Sequence, residues 1–136
     1  MAAISPLSAS LNVAIGGGMG ALARYQLGRA MTHWLGPTVV TAFPWATLTA
    51  NVLGSLAMGL LAGWLARHGG AHGEQLRLLV GIGVLGGFTT FSSFSLEMML
   101  LIERGQPSTA FLYAAISLLA GLTGLYIGLI AMRIAA

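Results

Sequence analysis

The stretch Gly86–Glu97, GGFTTFSSFSLE, stands out inside a long apolar segment. It contains two adjacent glycines, four hydroxyl side chains within six residues, three phenylalanines at three-residue spacing and one carboxylate. A helix surrounded by lipid rarely carries so much polarity and so little helix propensity in one place. We therefore expect the rest of the chain to hold this segment in the middle of a bilayer.

The composition is that of an integral membrane protein. Of 136 residues, 57% are hydrophobic and only 7% are charged, whereas a soluble domain carries about 25% charged residues. The absence of cysteine excludes disulfides and thiolate metal sites. The net charge of +3 is too small and too dispersed to indicate nucleic-acid binding, and the N-terminus lacks the basic region of a cleaved signal peptide.

Four apolar segments are separated by glycine, proline or charged residues. They cover about residues 11–34, 45–66, 75–102 and 108–132, and each has roughly the 20 residues that cross a bilayer as a helix. No stretch alternates with a period of two, as a membrane β-barrel strand would. The sequence thus predicts a single all-α transmembrane domain, residues 1–136, with four spans.

The arginines give little instruction about orientation. Four spans place both termini on one face with Arg67, Arg77 and Arg133, against Arg29 and Arg104 on the other face, with Arg24 deeper in the first span. Either one orientation prevails despite this weak bias, or the protein inserts both ways and pairs antiparallel. Because four helices are too few to enclose a polar path, we expect a dimer.

Asn51 lies near the middle of the second span and shares a helix face with Thr47 and Ser55. A side-chain amide at this depth needs partners. It either bonds to another helix as structural polar glue or donates its NH2 to a permeating anion.

In the third span, Gly86 and Gly87 precede Phe88 and Thr89, a poor helix-forming sequence. A break near Gly86–Thr89 would free backbone carbonyls able to hold Na⁺. The alternative is an unbroken helix whose glycines only permit tight packing. The hydroxyls that crowd the same place favour the break.

Phe91 and Phe94 project from roughly the same side of the third span. Such rings usually face the core or lipid, but their edges carry positive partial charge that suits a small anion. Glu97, within the same span, is predicted to be a proton-coupling group, an ion-pair partner or a protonated donor. Arg24 would either neutralise Glu97 or draw anions into a vestibule.

The remaining polar residues are less informative. Tyr113 and Ser117 share a face of the fourth span and add hydroxyls to it. The histidines, His33, His68 and His72, lack the spacing of metal ligands, so we expect them to be solvated or interfacial. No nucleophile elbow, phosphate loop or zinc motif indicates an enzyme.

Three sequence elements together resemble the Fluc (CrcB-type) family of fluoride channels. They are GGGMGALARY in the first span, PWATLTANVLGSLAMG in the second and GVLGGFTTFSSFSLE in the third. Ala46 replaces a usual glycine, and Ser93 replaces a common threonine. The resemblance covers nearly the whole chain. It implies an antiparallel, dual-topology homodimer with a broken third helix and two pores for passive F⁻ conduction, which lowers cytoplasmic fluoride in a bacterial inner membrane.

The same resemblance assigns roles to individual positions. Pore roles fall on Asn51, Phe91, Phe94, Thr47, Thr90, Ser92, Ser93, Tyr113, Ser117 and Glu97. Arg24 matches the vestibule arginine. Gly86 and Thr89 match the positions whose backbone carbonyls hold a structural Na⁺ between two subunits.

Two other functions fit four apolar helices. A small proton-coupled drug exporter of the dual-topology kind would use Glu97 for coupling, but such exporters typically carry their carboxylate in the first span, where this chain has Arg24. A non-conducting assembly subunit would not need Asn51, the hydroxyls and the break at one depth.

Overall fold

The computed structural model describes residues 4–70 and 72–135, and in these ranges every regular element is helical. The elements are α1 (Pro6–Leu35), α2 (Pro37–Ala42), α3 (Trp45–His68), α4 (Gly73–Leu76), a π-helical segment (Arg77–Leu85), α5 (Gly86–Phe88), α6 (Phe91–Glu103) and α7 (Pro107–Ile134). Helices cover all four predicted segments except for Thr89 and Thr90 in the third. The sequence pattern does not predict the short helix α2.

The helix ends follow local signals in the sequence. The Ser5 hydroxyl caps α1 by accepting a hydrogen bond from the Ser8 amide at 3.2 Å, and Pro6 occupies the first turn. Gly36, at φ 84°, separates α1 from α2, and Gly105, at φ 74°, lies between α6 and α7. Both turns use the left-handed conformation that glycine adopts without strain.

Glycines set the spacing between the long helices. A Cβ on Gly59 of α3 would overlap the Leu125 carbonyl of α7, and one on Gly128 would overlap the Leu56 carbonyl. Gly16 and Gly20 of α1 lie just as closely against the backbone of the π-helical segment. Backbone contact of this kind is how membrane helices pack when no hydrophobic force drives them together.

Among the described residues, three helical runs are long and apolar enough to cross a membrane: Trp45–His68, Gly73–Glu103 and Pro107–Ile134. Helix α1 is not among them, since its glycines and the charged Arg24 and Arg29 reduce its apolar character. Its crossing of the membrane, and with it the four-span topology, stays a prediction.

The third run is broken, but not at its glycines. Gly86 and Gly87 remain helical, and the chain becomes extended at Thr89 (φ −83°, ψ 157°) and Thr90 (φ −153°, ψ 125°). Gly87 serves close packing, because a Cβ there would overlap the Gly17 carbonyl of α1. The sequence therefore predicts a break near Gly86–Thr89, and the structure places it at the C-terminal edge of that range, at Thr89 and Thr90. We refer to residues 73–88 as the first half-helix and to α6 as the second.

Candidate ion pathway

Asn51 of α3 binds both backbone groups of Thr90 at the break. Its Oδ1 accepts from the Thr90 amide at 2.8 Å, and its Nδ2 donates to the Thr90 carbonyl at 3.0 Å. The structure thus realises the predicted role of Asn51 as polar glue between helices. A primary amide has a second N–H, so the anion-donor role is compatible with this geometry.

Two backbone amides at the break donate to side chains rather than to the carbonyls that they would reach in a continuous helix. The Thr90 amide would bond to the Gly86 carbonyl, but it bonds to Asn51. The Ser93 amide would bond to the Thr89 carbonyl, but it donates to the Thr90 Oγ1 at 3.2 Å. The carbonyls of Gly86 and Thr89 are therefore among those that the break frees.

A cavity of about 310 Å³ lies beside the break. Gly86, Thr89, Thr90, Phe91 and Asn51 are among the residues that line it. Gly86 is exposed, and Thr89 is partly exposed. Residues 4–70 and 72–135 contain no cluster of three histidine or carboxylate ligands, and the oxygens that line this cavity belong to backbone, hydroxyl and amide groups.

Glu97 is held by two hydroxyls from neighbouring helices. Thr47 Oγ1 of α3 donates to its Oε1 at 2.6 Å, and the Tyr113 hydroxyl of α7 donates to its Oε2 at 2.8 Å. Thr47 is buried, and Tyr113 is completely so. Thus three residues predicted separately from three helices form one polar cluster, Thr47–Glu97–Tyr113.

Aromatic rings connect this cluster to the break. The ring centroids of Tyr113 and Phe94 are 5.0 Å apart, and those of Phe94 and Phe91 are 5.8 Å apart. Phe43, to which no sequence motif points, packs edge-on against Tyr113 at 5.4 Å. Phe91 is 79% exposed, so its ring has an open face in the single chain.

The predicted hydroxyls do not all occupy one place. The Thr90 hydroxyl lies 3.4 Å from that of Ser92 and donates to that of Ser93 at 3.2 Å. The Ser117 hydroxyl, on α7, is buried and finds no partner within the described part of the chain. Thr90, Ser92 and Ser93 therefore form a group at the start of α6, and Ser117 lies apart from it with a free donor.

A larger cavity, of about 900 Å³, leads to Glu97 from one end of the bundle. Its lining includes Thr47 and Glu97 together with Arg24, Arg29 and Arg104. We call this cavity the vestibule. Its arginines make the approach to the Thr47–Glu97–Tyr113 cluster electropositive, as an anion path requires.

The predicted pairing of Arg24 with Glu97 is not formed. Instead, Arg24 Nε donates to the Gly87 carbonyl at 3.3 Å. In the described ranges the ion pair that does form joins Arg77 and Glu74 at 2.8 Å, far along the third run from the break. Each Glu97 carboxyl oxygen instead accepts a hydrogen bond from one hydroxyl. The exposed positions of His33, His68 and His72 agree with their predicted solvated or interfacial role.

Residues 11–129 match the family described as CrcB-like protein, Camphor Resistance (CrcB). The chain belongs to the CrcB family. It is 52% identical to the "Fluoride-specific ion channel FluC" of Erythrobacter litoralis over 98% of both chains. It is 59% identical to the protein of that name from Novosphingobium aromaticivorans, over 93% of this chain and 98% of the relative. A third such relative, from Rhodospirillum centenum, is 54% identical over 92% and 95%.

Sequence reasoning missed one residue that shapes the break of this CrcB protein. A Cβ on Gly54 of α3 would overlap the methyl group of Thr89. The available signal was its spacing: Gly54 lies three residues after Asn51, on the face of α3 that meets the break. Asn51 and Gly54 therefore act together, one by bonding the extended segment and the other by leaving room for it.

Proposed function

We propose that this CrcB protein is a subunit of a fluoride channel that passively conducts F⁻ across a bacterial inner membrane and so lowers cytoplasmic fluoride. The observation that carries the proposal is the row of donors and aromatic rings from the vestibule to the break. It runs from Thr47 and Tyr113, past Phe94 and Phe91, to Thr90 and Asn51. The relatives' shared name, fluoride-specific ion channel, points to the same ion.

The chemistry of the row suits a small, strongly hydrated anion. A pore must replace the hydration shell of the ion with donors and still release it. The hydroxyls of Thr47 and Tyr113 each carry a single proton, which in the structure is donated to Glu97. A passing F⁻ would accept a hydrogen bond from each hydroxyl in turn. As the ion moves on, the hydroxyl would again donate to Glu97, so that F⁻ binding stays transient.

One chain does not complete the pathway, and this supports a dimer. Phe91 is 79% exposed and Gly86 is also exposed, although both belong to the proposed site. We propose that a second copy, inserted antiparallel, covers this face and that each of two pores is lined by both subunits. The weak charge bias between the two faces of the predicted four-span arrangement agrees with dual topology.

We further propose that Na⁺ is held between the two copies by the carbonyls of Gly86 and Thr89. Carbonyl oxygens are ligands that suit hard cations. The diverted amides of Thr90 and Ser93 leave these two carbonyls available, and both residues line the cavity on the exposed face. Two chains would supply four such oxygens. When bound, the ion would stabilise the broken backbone of both subunits.

The test is fluoride efflux from liposomes that contain the purified protein. We expect rapid, electrogenic F⁻ efflux with Cl⁻ excluded, strongly reduced by Phe91→Ile. Phe111→Ile is the matched control, because Phe111 is a similarly exposed ring, 76%, on α7 away from the break. Undiminished flux in Phe91→Ile would remove that ring from the pore. Proton-coupled export of organic cations without F⁻ flux would instead favour an exporter, and cross-linking that finds only parallel pairs would refute dual topology.

A further inference from the structure

Helix α1 presents Gly16, Gly20 and Arg24 at four-residue intervals, which places them on one face. Backbone contact at Gly16 and Gly20 fixes that face against the first half-helix, where Gly20 meets the Val84 carbonyl. Such contacts leave little slack between the two backbones. Arg24, one turn further along, is therefore delivered to the end of the first half-helix.

At that end, Arg24 Nε donates to the Gly87 carbonyl at 3.3 Å. In a continuous helix this carbonyl would accept from the amide of Phe91, but the extended residues Thr89 and Thr90 carry Phe91 into the second half-helix. The Gly87 carbonyl thus lies at a helix C-terminus, where carbonyls lack partners and partial negative charge accumulates. A guanidinium satisfies both needs.

We infer that Arg24 is a positioning residue that caps the first half-helix and thereby fixes the carbonyls of Gly86 and Thr89. Its terminal N–H groups remain available to the vestibule, which it also lines. The role differs from attraction of anions, because it depends on one directed hydrogen bond rather than on charge alone. The importance of the cap for conduction rests on the proposed channel function, but the cap itself does not.

The test compares Arg24→Met with Arg29→Met in lipid nanodiscs. Both changes remove one charge from α1 and from the lining of the vestibule. Only Arg24 bonds to the break, however, since Arg29 donates to the Gln26 side chain at 3.5 Å. Amide hydrogen exchange, read by mass spectrometry over residues 84–93, reports the opening of the half-helix end. Fluoride efflux is measured on the same preparations.

The Thr89 amide, which donates to the Leu85 carbonyl at 3.0 Å, is the last helical bond before the break. In Arg24→Met its exchange should be about tenfold faster, the size expected when a hydrogen bond to a charged group is lost. Arg29→Met should exchange as the unmodified protein does. Equal exchange in the two variants would overturn the inference and leave Arg24 as a vestibule charge only.

Two further outcomes are informative. If Arg24→Met does not fold, Arg24→Lys is compared with Arg29→Lys, because both changes keep the positive charge. Faster amide exchange in Arg24→Lys alone supports the directed bond to Gly87. Equal exchange in the two lysine variants refutes that bond. If the unmodified protein conducts no F⁻ while Arg24→Met still loosens residues 84–93, the channel proposal fails and the cap stands. If the unmodified protein conducts F⁻ while Arg24→Met leaves exchange unchanged, the channel proposal stands and the cap is refuted.

Discussion

Replacing Asn51 by leucine tests whether this amide holds the break. The substitution keeps the approximate shape of the side chain but removes both bonds to Thr90, at 2.8 and 3.0 Å. An unsatisfied buried backbone group costs about 1–3 kcal/mol, and two groups are released here. Because Thr90 is only half-buried and an unfolded membrane chain also finds partners, we expect the lower end, a loss of about 2–3 kcal/mol of unfolding free energy.

The assay is reversible unfolding of the purified protein in mixed detergent micelles, followed by fluoride efflux from liposomes. Ser55→Ala is the control, since Ser55 lies one turn along α3 on the same face and lines the same cavity. If Asn51→Leu unfolds within about 0.5 kcal/mol of Ser55→Ala, the range of an ordinary surface change, the amide does not hold the break.

Three further changes probe the surroundings of the break. Gly54→Ala should lower the unfolding free energy by about 1–3 kcal/mol through overpacking against Thr89 and should slow F⁻ efflux. Gly18→Ala should do neither, because no neighbouring helix lies within 4 Å of the added Cβ. Equal stability of the two variants in thermal unfolding would contradict this. Tyr113→Phe removes one of two donors to Glu97 and should reduce efflux more than Tyr126→Phe, a change of an exposed ring; identical efflux traces would exclude the hydroxyl from the pathway. Exchange of Na⁺ for a bulky organic cation should lower the thermal stability of the dimer, and a melting temperature indifferent to Na⁺ would argue against the carbonyl site.

The sequence predicts the helical segments well because their signals are local. Runs of apolar residues, and prolines such as Pro107, determine where helices lie and begin. It also predicts a break, since Gly86 and Gly87 followed by threonines are poor helix formers. The exact residues of the break could not be predicted in this way, because they depend on α3: Asn51 bonds to Thr90, and Gly54 leaves space for Thr89.

The sequence predicts the site as residues rather than as contacts. Thr47, Glu97 and Tyr113 come from three helices, and sequence spacing does not show that they meet. A carboxylate within a span prompts a search for a basic partner, and Arg24 is the natural candidate. The structure satisfies Glu97 with hydroxyls instead, while the depth of Arg24 along α1, fixed by glycine contacts, brings its guanidinium to the Gly87 carbonyl. Only the packing of α1 against the first half-helix shows that Arg24 bonds to the Gly87 carbonyl rather than to Glu97.

The break also explains how one segment would serve two ions of opposite charge. A helix end with free carbonyls favours cations, and a helix beginning with free amides favours anions. The first half-helix ends at Phe88, with the carbonyls of Gly86 and Thr89 released, and the second begins at Phe91, beside the hydroxyls of Ser92 and Ser93. Only two extended residues separate these ends. A cation on the first would therefore stabilise the backbone that presents the second to F⁻, so loss of the proposed Na⁺ site should impair F⁻ conduction.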